Sequence, residues 1–171
     1  MMQAEEYLEK IPMWTREKHS LTDIRAFLHE MGDPDRKLSI IHVAGTNGKG
    51  SVCAFLTSLY RNAGFRTGTF ISPHLVTVRE RFLLNNEMVS PGKLQAAFET
   101  VLETVNIMKE KGYSHPSYFE FLFYMAMALF ADETPELVIL ETGLGGRLDA
   151  TNVVENPLAC VITSISLDHI M

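Results

Sequence analysis

Lys49 and Ser51 stand at the start of a helical pattern, directly behind a turn that carries Gly45, Gly48 and Gly50. The turn follows the apolar run "LSIIHVA". Glycines between a strand and a helix let backbone N–H groups face an anion with no side chain in the way. The helix start adds unpaired N–H groups and partial positive charge. Lys49 supplies a full charge, and the Ser51 hydroxyl suits a magnesium ion. The chemistry such a set would serve is polyphosphate binding. The strict pattern G-x-x-x-x-G-K-[ST] is not met: Val43 stands where its first glycine belongs, and Gly50 separates Lys49 from Ser51. The competing reading is a βα turn whose glycines only permit tight packing. Gly48-Lys49-Gly50 is poor chemistry for starting a helix, which favours the phosphate loop.

Three more candidates stand just past strand-like runs, where open α/β sheets gather their ligands. Glu141 follows "LVIL", and an acid there suits magnesium, directly or through water. Its alternative is a solvated glutamate. Ser72 ends "GTFIS" and offers a hydroxyl for the same ion, or merely a turn before Pro73. Asp168 and His169 follow "VITSISL", and a lone histidine is more often structural than a ligand. A parallel sheet would bring Lys49, Ser51, Ser72, Glu141 and His169 to one edge.

The elements that must position these residues alternate between strand and helix patterns, which argues an α/β architecture with a mainly parallel sheet and right-handed crossovers. In "SLTDIRAFLHEMG", Ser20 with Asp23 reads as a helix start and Gly32 as its stop. The helix after the glycine turn shows apolar residues at helical spacing (Val52, Phe55, Leu56, Leu59, Tyr60 and Ala63) and ends at Gly64. "RTGTFIS" reads as the next strand. Residues 72–90 form a long polar connection, with a short extended piece expected around Val76 and Val78. Ser90-Pro91 opens a helix that runs to about Gly112. "SYFEFLFYMAMALFAD" carries a capping box, Ser117 with Glu120, ahead of a helix apolar on all sides and therefore buried. "ELVILE" and "LACVITSI" read as two further buried strands.

The 171 residues suffice for one domain with a real core. A net charge of −6 argues against nucleic acid as a partner. Cys53 and Cys160 read as buried free thiols rather than a disulfide or metal knot. The N-terminus is acidic and lacks an apolar signal core. The longest charge-free apolar run, residues 121–131, is too short to span a bilayer. These features point to a cytoplasmic protein without a membrane partner.

"HVAGTNGKGSV", "ISPHLVTVRERF", "YFEFLFYMAMALF", "LETGLGGRLDATNVV" and "ITSISLDHI" occur here in one order. In that order they resemble folylpolyglutamate synthases and bifunctional dihydrofolate synthases, cytoplasmic members of the ATP-dependent Mur ligase superfamily. The resemblance covers essentially the whole chain, and "GTNGKGS" is the form of glycine loop that this family uses. It implies a ligase with a P-loop-containing ATPase domain, with ATP and Mg²⁺ as cofactors. ATP would phosphorylate a carboxylate of the pterin substrate, and the amine of L-glutamate would attack the acyl phosphate to give an amide. The carboxylate would be the γ-carboxylate of a folate tail or the benzoate of dihydropteroate.

Residue by residue, the resemblance implies that Thr46, Asn47, Gly48, Lys49, Gly50 and Ser51 wrap the ATP phosphates, with Lys49 on the β and γ groups. Ser51 or Ser72, with Glu141, would hold one magnesium, and His169 would help hold a second near the acyl phosphate. Lys49, Glu141 and His169 would thus carry the catalysis. Ser72, Pro73, His74 and Arg81 would belong to the pterin-side pocket. Phe119 would stack on the pterin, and Asp149 and Asn152 would border the substrate. The competing roles are core packing for Phe119, helix capping for Glu120, and a solvated ion pair of Arg81 with Glu80 or Glu87.

Family members continue past "LDH" into a carbamylated-lysine motif, the rest of the ATPase domain and a C-terminal glutamate-binding domain. The resemblance therefore implies that residues 1–171 are the N-terminal portion of the ATP-binding domain of a monomeric parent, unable to turn over alone. Two other readings compete: a nucleotide-binding module without catalysis, and a Mur-type ligase with another substrate. The "SPHL…RERF" segment speaks against the latter, and the lysine–glycine–serine order speaks against a P-loop kinase.

Overall fold

A computed structural model of the chain describes residues 3–12 and 19–166. Its elements are α1 (Ala4–Leu8), α2 (Leu21–Glu30), β1 (Ile40–Ala44), α3 (Lys49–Asn62), β2 (Thr67–Phe70), β3 (Phe82–Leu84), β4 (Glu87–Met88), α4 (Pro91–Glu110), α5 (Tyr118–Glu133), β5 (Leu137–Glu141) and β6 (Ala159–Ile162). Six strands form one mixed sheet in the order β4-β3-β2-β5-β1-β6. β5 pairs in parallel with both β1 and β2, and β1 in parallel with β6. β3 and β4 add an antiparallel hairpin beside β2. This is the mainly parallel α/β sheet that the alternating patterns require.

Local signals in the sequence fix several boundaries. Ser20 and Asp23 form a reciprocal capping box at the start of α2, and Ser117 and Glu120 form another at α5. Ser90 caps α4, with Pro91 in its first turn. Gly32, Gly64 and Gly112 follow their helices with φ of 79°, 92° and 91°, the left-handed geometry of helix stops.

The two faces of the sheet are covered unequally. On one face α1, α2, α4 and α5 pack a large core around Ile40, Phe70, Val138 and Leu140. α5 sits at its centre, with residues 120–127 all buried, as its apolar composition demands. On the other face α3 is the one helix among the described residues that packs a small core, of Ile41, Val43, Cys53, Leu137 and Ile139. Only part of α3's apolar set reaches this core: Val52, Leu56 and Tyr60 are half-buried, while Phe55 and Leu59 stay 75% and 62% exposed.

Two expectations need correction. β6 is not a buried strand, and Cys160 on it is exposed. Among the described residues it is the outer strand of the sheet and pairs only with β1; only Val161 on it is half-buried, against the small core, and the rest is exposed. In the 72–90 connection the extended piece lies later than expected. Val78 opens a 3-10 turn, Val78–Arg81, and the extended stretch is the β3–β4 hairpin. Asn85 and Asn86 turn that hairpin with φ of 52° and 66°, the left-handed pair that a two-residue hairpin turn requires and asparagine tolerates.

Candidate functional site

β1 delivers the chain into the glycine loop at the carboxyl edge of the sheet. Gly45 leaves the strand with φ of 140°, and a Cβ there would lie 1.9 Å from Thr163 Oγ1. Gly48 turns into α3 with φ of 83°. Residues 163–166, which follow β6, hold the loop from outside. Thr46 N–H donates to the Ser164 carbonyl (2.8 Å), and Thr163 Oγ1 donates to the Asn47 carbonyl (2.7 Å). Lys49 Nζ folds back onto the carbonyls of Gly45 (2.9 Å) and Thr46 (3.4 Å). The backbone N–H groups of Lys49, Gly50 and Ser51 find no acceptor among the described residues. Free donors at a helix start, beside a lysine, make a site for an anion.

Glu141 ends β5 opposite Val43 of β1. It is only 3% exposed. Its Oε2 accepts the Ser72 N–H at 2.9 Å, and its Oε1 faces the start of α3, 4.0 Å from where a Cβ on Gly50 would lie. Burial raises its pKa above the ordinary carboxylate value, against the opposing pull of the Ser72 N–H, Lys49 and Arg81. Lys49, Ser72 and Glu141 are thus brought to one edge of the sheet, with Ser51 in the exposed first turn of α3. Asp168 and His169 lie outside the described residues.

The stretch from Ser72 to Arg81 leaves β2 through a cis Ser72–Pro73 bond. Glu80 organises it by accepting the N–H groups of Leu75, Val76 and Thr77. Arg81 is 5% exposed and pairs with neither Glu80 nor Glu87. Its Nε donates to His74 Nδ1 at 2.8 Å, and its guanidinium lies 5.5 Å from the centre of the Tyr118 ring. Arginine only donates, so His74 carries its proton on Nε2. Burial, then the Arg81 charge, lowers the His74 pKa.

A second glycine turn follows β5, and together with the phosphate loop it encloses a cavity of about 510 Å³. Gly45, Thr46 and Lys49 line one side, Gly143 to Gly146 another, and Ile162, Ile165 and Ser166 a third. Asp149 is buried and holds this turn: Oδ2 accepts Gly143 N–H (3.0 Å) and Leu144 N–H (2.8 Å), and Oδ1 accepts Thr151 N–H (3.0 Å) and Oγ1–H (2.6 Å). Phe119 packs against Phe70 and directly beneath Gly143, where a Cβ would lie 2.5 Å from the ring. Asn152 is exposed and donates to the Arg147 carbonyl.

Sequence reasoning missed two groups of residues. His42, inside β1, bonds Thr151 at 2.8 Å. Its only sequence signal is a polar residue interrupting an apolar strand. Residues 163–165 read as the end of the strand "LACVITSI", and nothing local marks residues 163–166 as a clamp.

No family model matches the chain. It is 47% identical over 133 residues to a folylpolyglutamate synthase of Arabidopsis thaliana, covering 78% of this chain and 23% of that protein. It is 41% identical over 153 residues to the dihydrofolate synthase/folylpolyglutamate synthase of Bacillus subtilis, covering 89% of this chain and 35% of that one. The folylpolyglutamate synthase of Mycobacterium tuberculosis complexed with ADP superposes with a TM-score of 0.89 at 36% identity, over 98% of this chain and 37% of that structure. The chain belongs with the folylpolyglutamate synthases in sequence and in fold. It spans roughly a quarter to a third of the length of these curated relatives. The fold is accordingly that of the Mur ligases. No helix among the described residues is long and apolar enough to cross a membrane.

Proposed function

We propose that this chain is the nucleotide-binding part of an ATP-dependent ligase that joins L-glutamate to a folate-type carboxylate. The observation that carries the reading is the free row of N–H donors at Lys49, Gly50 and Ser51, set beside Lys49 and Glu141. The relatives support it by name, and one structural neighbour was solved with ADP. In the reaction, the terminal phosphoryl group of ATP passes to the substrate carboxylate. The glutamate amine then displaces phosphate, leaving an amide, ADP and phosphate. Fixed donors and positive charge at the phosphates favour that transfer. Lys49 would leave its carbonyl partners for the β and γ groups.

The donor set fits magnesium. Glu141 has one oxygen engaged by Ser72 N–H and the other without a hydrogen bond among the described residues, and the hydroxyls of Ser51 and Ser72 are hard oxygen ligands. Bound there, the ion would neutralise phosphate charge, with His169 assigned to a second ion. Within this reading Ser72, Pro73, His74, Arg81, Phe119, Asp149 and Asn152 form the folate side. Both folylpolyglutamate and dihydrofolate synthesis fit, as the double name of the Bacillus relative suggests.

Titration calorimetry with ATP·Mg²⁺ on this chain and on Lys49→Ala tests the reading. The chain should bind, and the variant should lose about 100-fold in affinity, the scale of a fully used charge–phosphate contact. Equal affinities would sink the phosphate-loop assignment. Binding without glutamate ligation when the longer protein is assayed with a pteroate substrate would favour a nucleotide-binding module.

A further inference from the structure

The Asp149 carboxylate only accepts hydrogen bonds, and the Thr151 hydroxyl has a single proton to give. That proton goes to Asp149 Oδ1, at 2.6 Å. The 2.8 Å contact between His42 Nε2 and Thr151 Oγ1 must then be donated by the histidine. A one-way chain results: His42 Nε2–H to Thr151 Oγ1–H to Asp149, whose other oxygen holds the Gly143 and Leu144 amides. His42, Asp149 and Thr151 are all buried. Burial also lowers the His42 pKa, which keeps the ring neutral.

A buried carboxylate with two rotatable bonds has no reason to hold one orientation unless its partners impose it. Thr151 supplies two of its four hydrogen bonds, one of them from a hydroxyl that is itself held from the other side by a donor to its lone pair. In this fold that donor is His42, 109 residues away and on the strand that ends in the phosphate loop. The chain therefore ties the two walls of one cavity together through β1.

We propose that His42 is a positioning residue: its Nε2–H, acting through the Thr151 hydroxyl, fixes the Asp149 carboxylate that sets the 143–146 loop against the nucleotide cavity. The role in binding rests on the proposed function of that cavity, whereas the loop-holding role does not.

The test compares His42→Leu, His42→Gln and Thr151→Val, reading amide hydrogen exchange by NMR and ATP·Mg²⁺ affinity by calorimetry. His42→Leu and Thr151→Val should speed exchange at Gly143 and Leu144 about tenfold relative to Ile139 in the neighbouring strand. They should weaken ATP binding about three- to tenfold. His42→Gln, which keeps a side-chain N–H near the Nε2 position, should restore both. Wild-type exchange at Gly143 and Leu144 in His42→Leu overturns the proposal. So does a parallel rise at Ile139 that His42→Gln fails to rescue, since that marks simple core packing. Faster loop exchange with unchanged ATP affinity overturns it too, because the loop would not bear on the cavity. Should His42→Leu not fold, His42→Asn, too short to reach Thr151, takes its place. If the wild-type chain binds no ATP, the proposed function falls, and the exchange data still decide whether His42 holds the loop.

Discussion

The two glycine turns that face each other across the cavity are built in opposite ways. In the first, residues 45–50, the restraints come from outside: residues 163–166 grip Thr46 and Asn47, and Lys49 grips the carbonyls of Gly45 and Thr46. Its N–H groups at Lys49, Gly50 and Ser51 stay free of acceptors among the described residues. In the second, residues 143–146, the N–H groups of Gly143 and Leu144 turn inward onto Asp149. A turn that spends its donors on the protein is a wall, and one that keeps them is a binding site. Similar glycine content thus serves different ends, which a pattern of glycines alone does not reveal.

The comparison breaks hardest at Asp149. Asp149→Ala leaves four donors in and around the second turn without their acceptor, two of them on the buried Thr151. Each buried donor left unpaired costs about 1–3 kcal/mol, and the turn can offset part of that by opening to water. The expected net loss is about 3 kcal/mol in urea unfolding. A loss below about 1 kcal/mol would mean that the second turn is held by something other than Asp149.

The first turn offers a finer comparison within itself. Gly45 and Gly48 both have positive φ, 140° and 83°, but only Gly45 lacks space for a side chain. A Cβ on Gly45 would meet Thr163 Oγ1 at 1.9 Å, whereas one on Gly48 meets nothing within 4 Å. Gly48→Ala should therefore cost only the left-handed strain, about 1 kcal/mol. Gly45→Ala should cost about 2–4 kcal/mol and loosen residues 163–166, because the clash adds to the strain. Equal losses by thermal or urea unfolding would show that the clamp yields freely and is no restraint on the loop.

What is legible in the sequence follows the range of the interactions. The capping boxes at Ser20 and Ser117 and the stops at Gly32, Gly64 and Gly112 involve residues within one turn of helix, and they read correctly. The burial of α5 follows from its own composition. Cys160 reads as buried because an apolar strand looks the same at the edge of a sheet as at its centre. Edge position is a property of the pairing order, not of "LACVI". The Asn85–Asn86 hairpin turn is a local signal that the expected extended piece around Val76 and Val78 passes over. Arg81 reads as a candidate for a solvated ion pair. Its burial against His74 and Tyr118 depends on contacts 7 and 37 positions away, the latter on α5. The glycine loop, Ser72 and Glu141 are legible as strand-end candidates. The His42–Thr151 contact is not, because it joins residues that only the assembled sheet brings together.

The smallest effect expected is in the pH dependence, and it separates the second wall from the rest of the molecule. Burial lowers the His42 pKa below its ordinary 6.5. The unfolded chain therefore takes up a proton at His42 before the folded one does, and this residue's contribution to stability falls as pH drops through about 6.5. His74 and His115 shift the same way, chiefly through burial. His19 shifts the opposite way, because its Nδ1 lies 3.4 Å from the Glu120 carboxylate. The acid sensitivity of the whole protein is thus composite, but the difference between wild type and His42→Gln isolates one group. Between about pH 7 and pH 5 the wild type should lose about 1–2 °C more in Tm than the variant, the glutamine having nothing to titrate. Asp149 is the charged group that opposes this shift electrostatically. In an Asp149→Asn background the same acidification should therefore cost a chain with the native histidine more, since a buried imidazolium loses its nearest countercharge. Parallel Tm curves with and without the His42→Gln substitution, in both backgrounds, would show that the histidine is not neutral and buried in the folded protein. The hydrogen-bond chain would keep its direction, since Nε2–H donates from a charged ring as from a neutral one, and only the neutrality of His42 would fall.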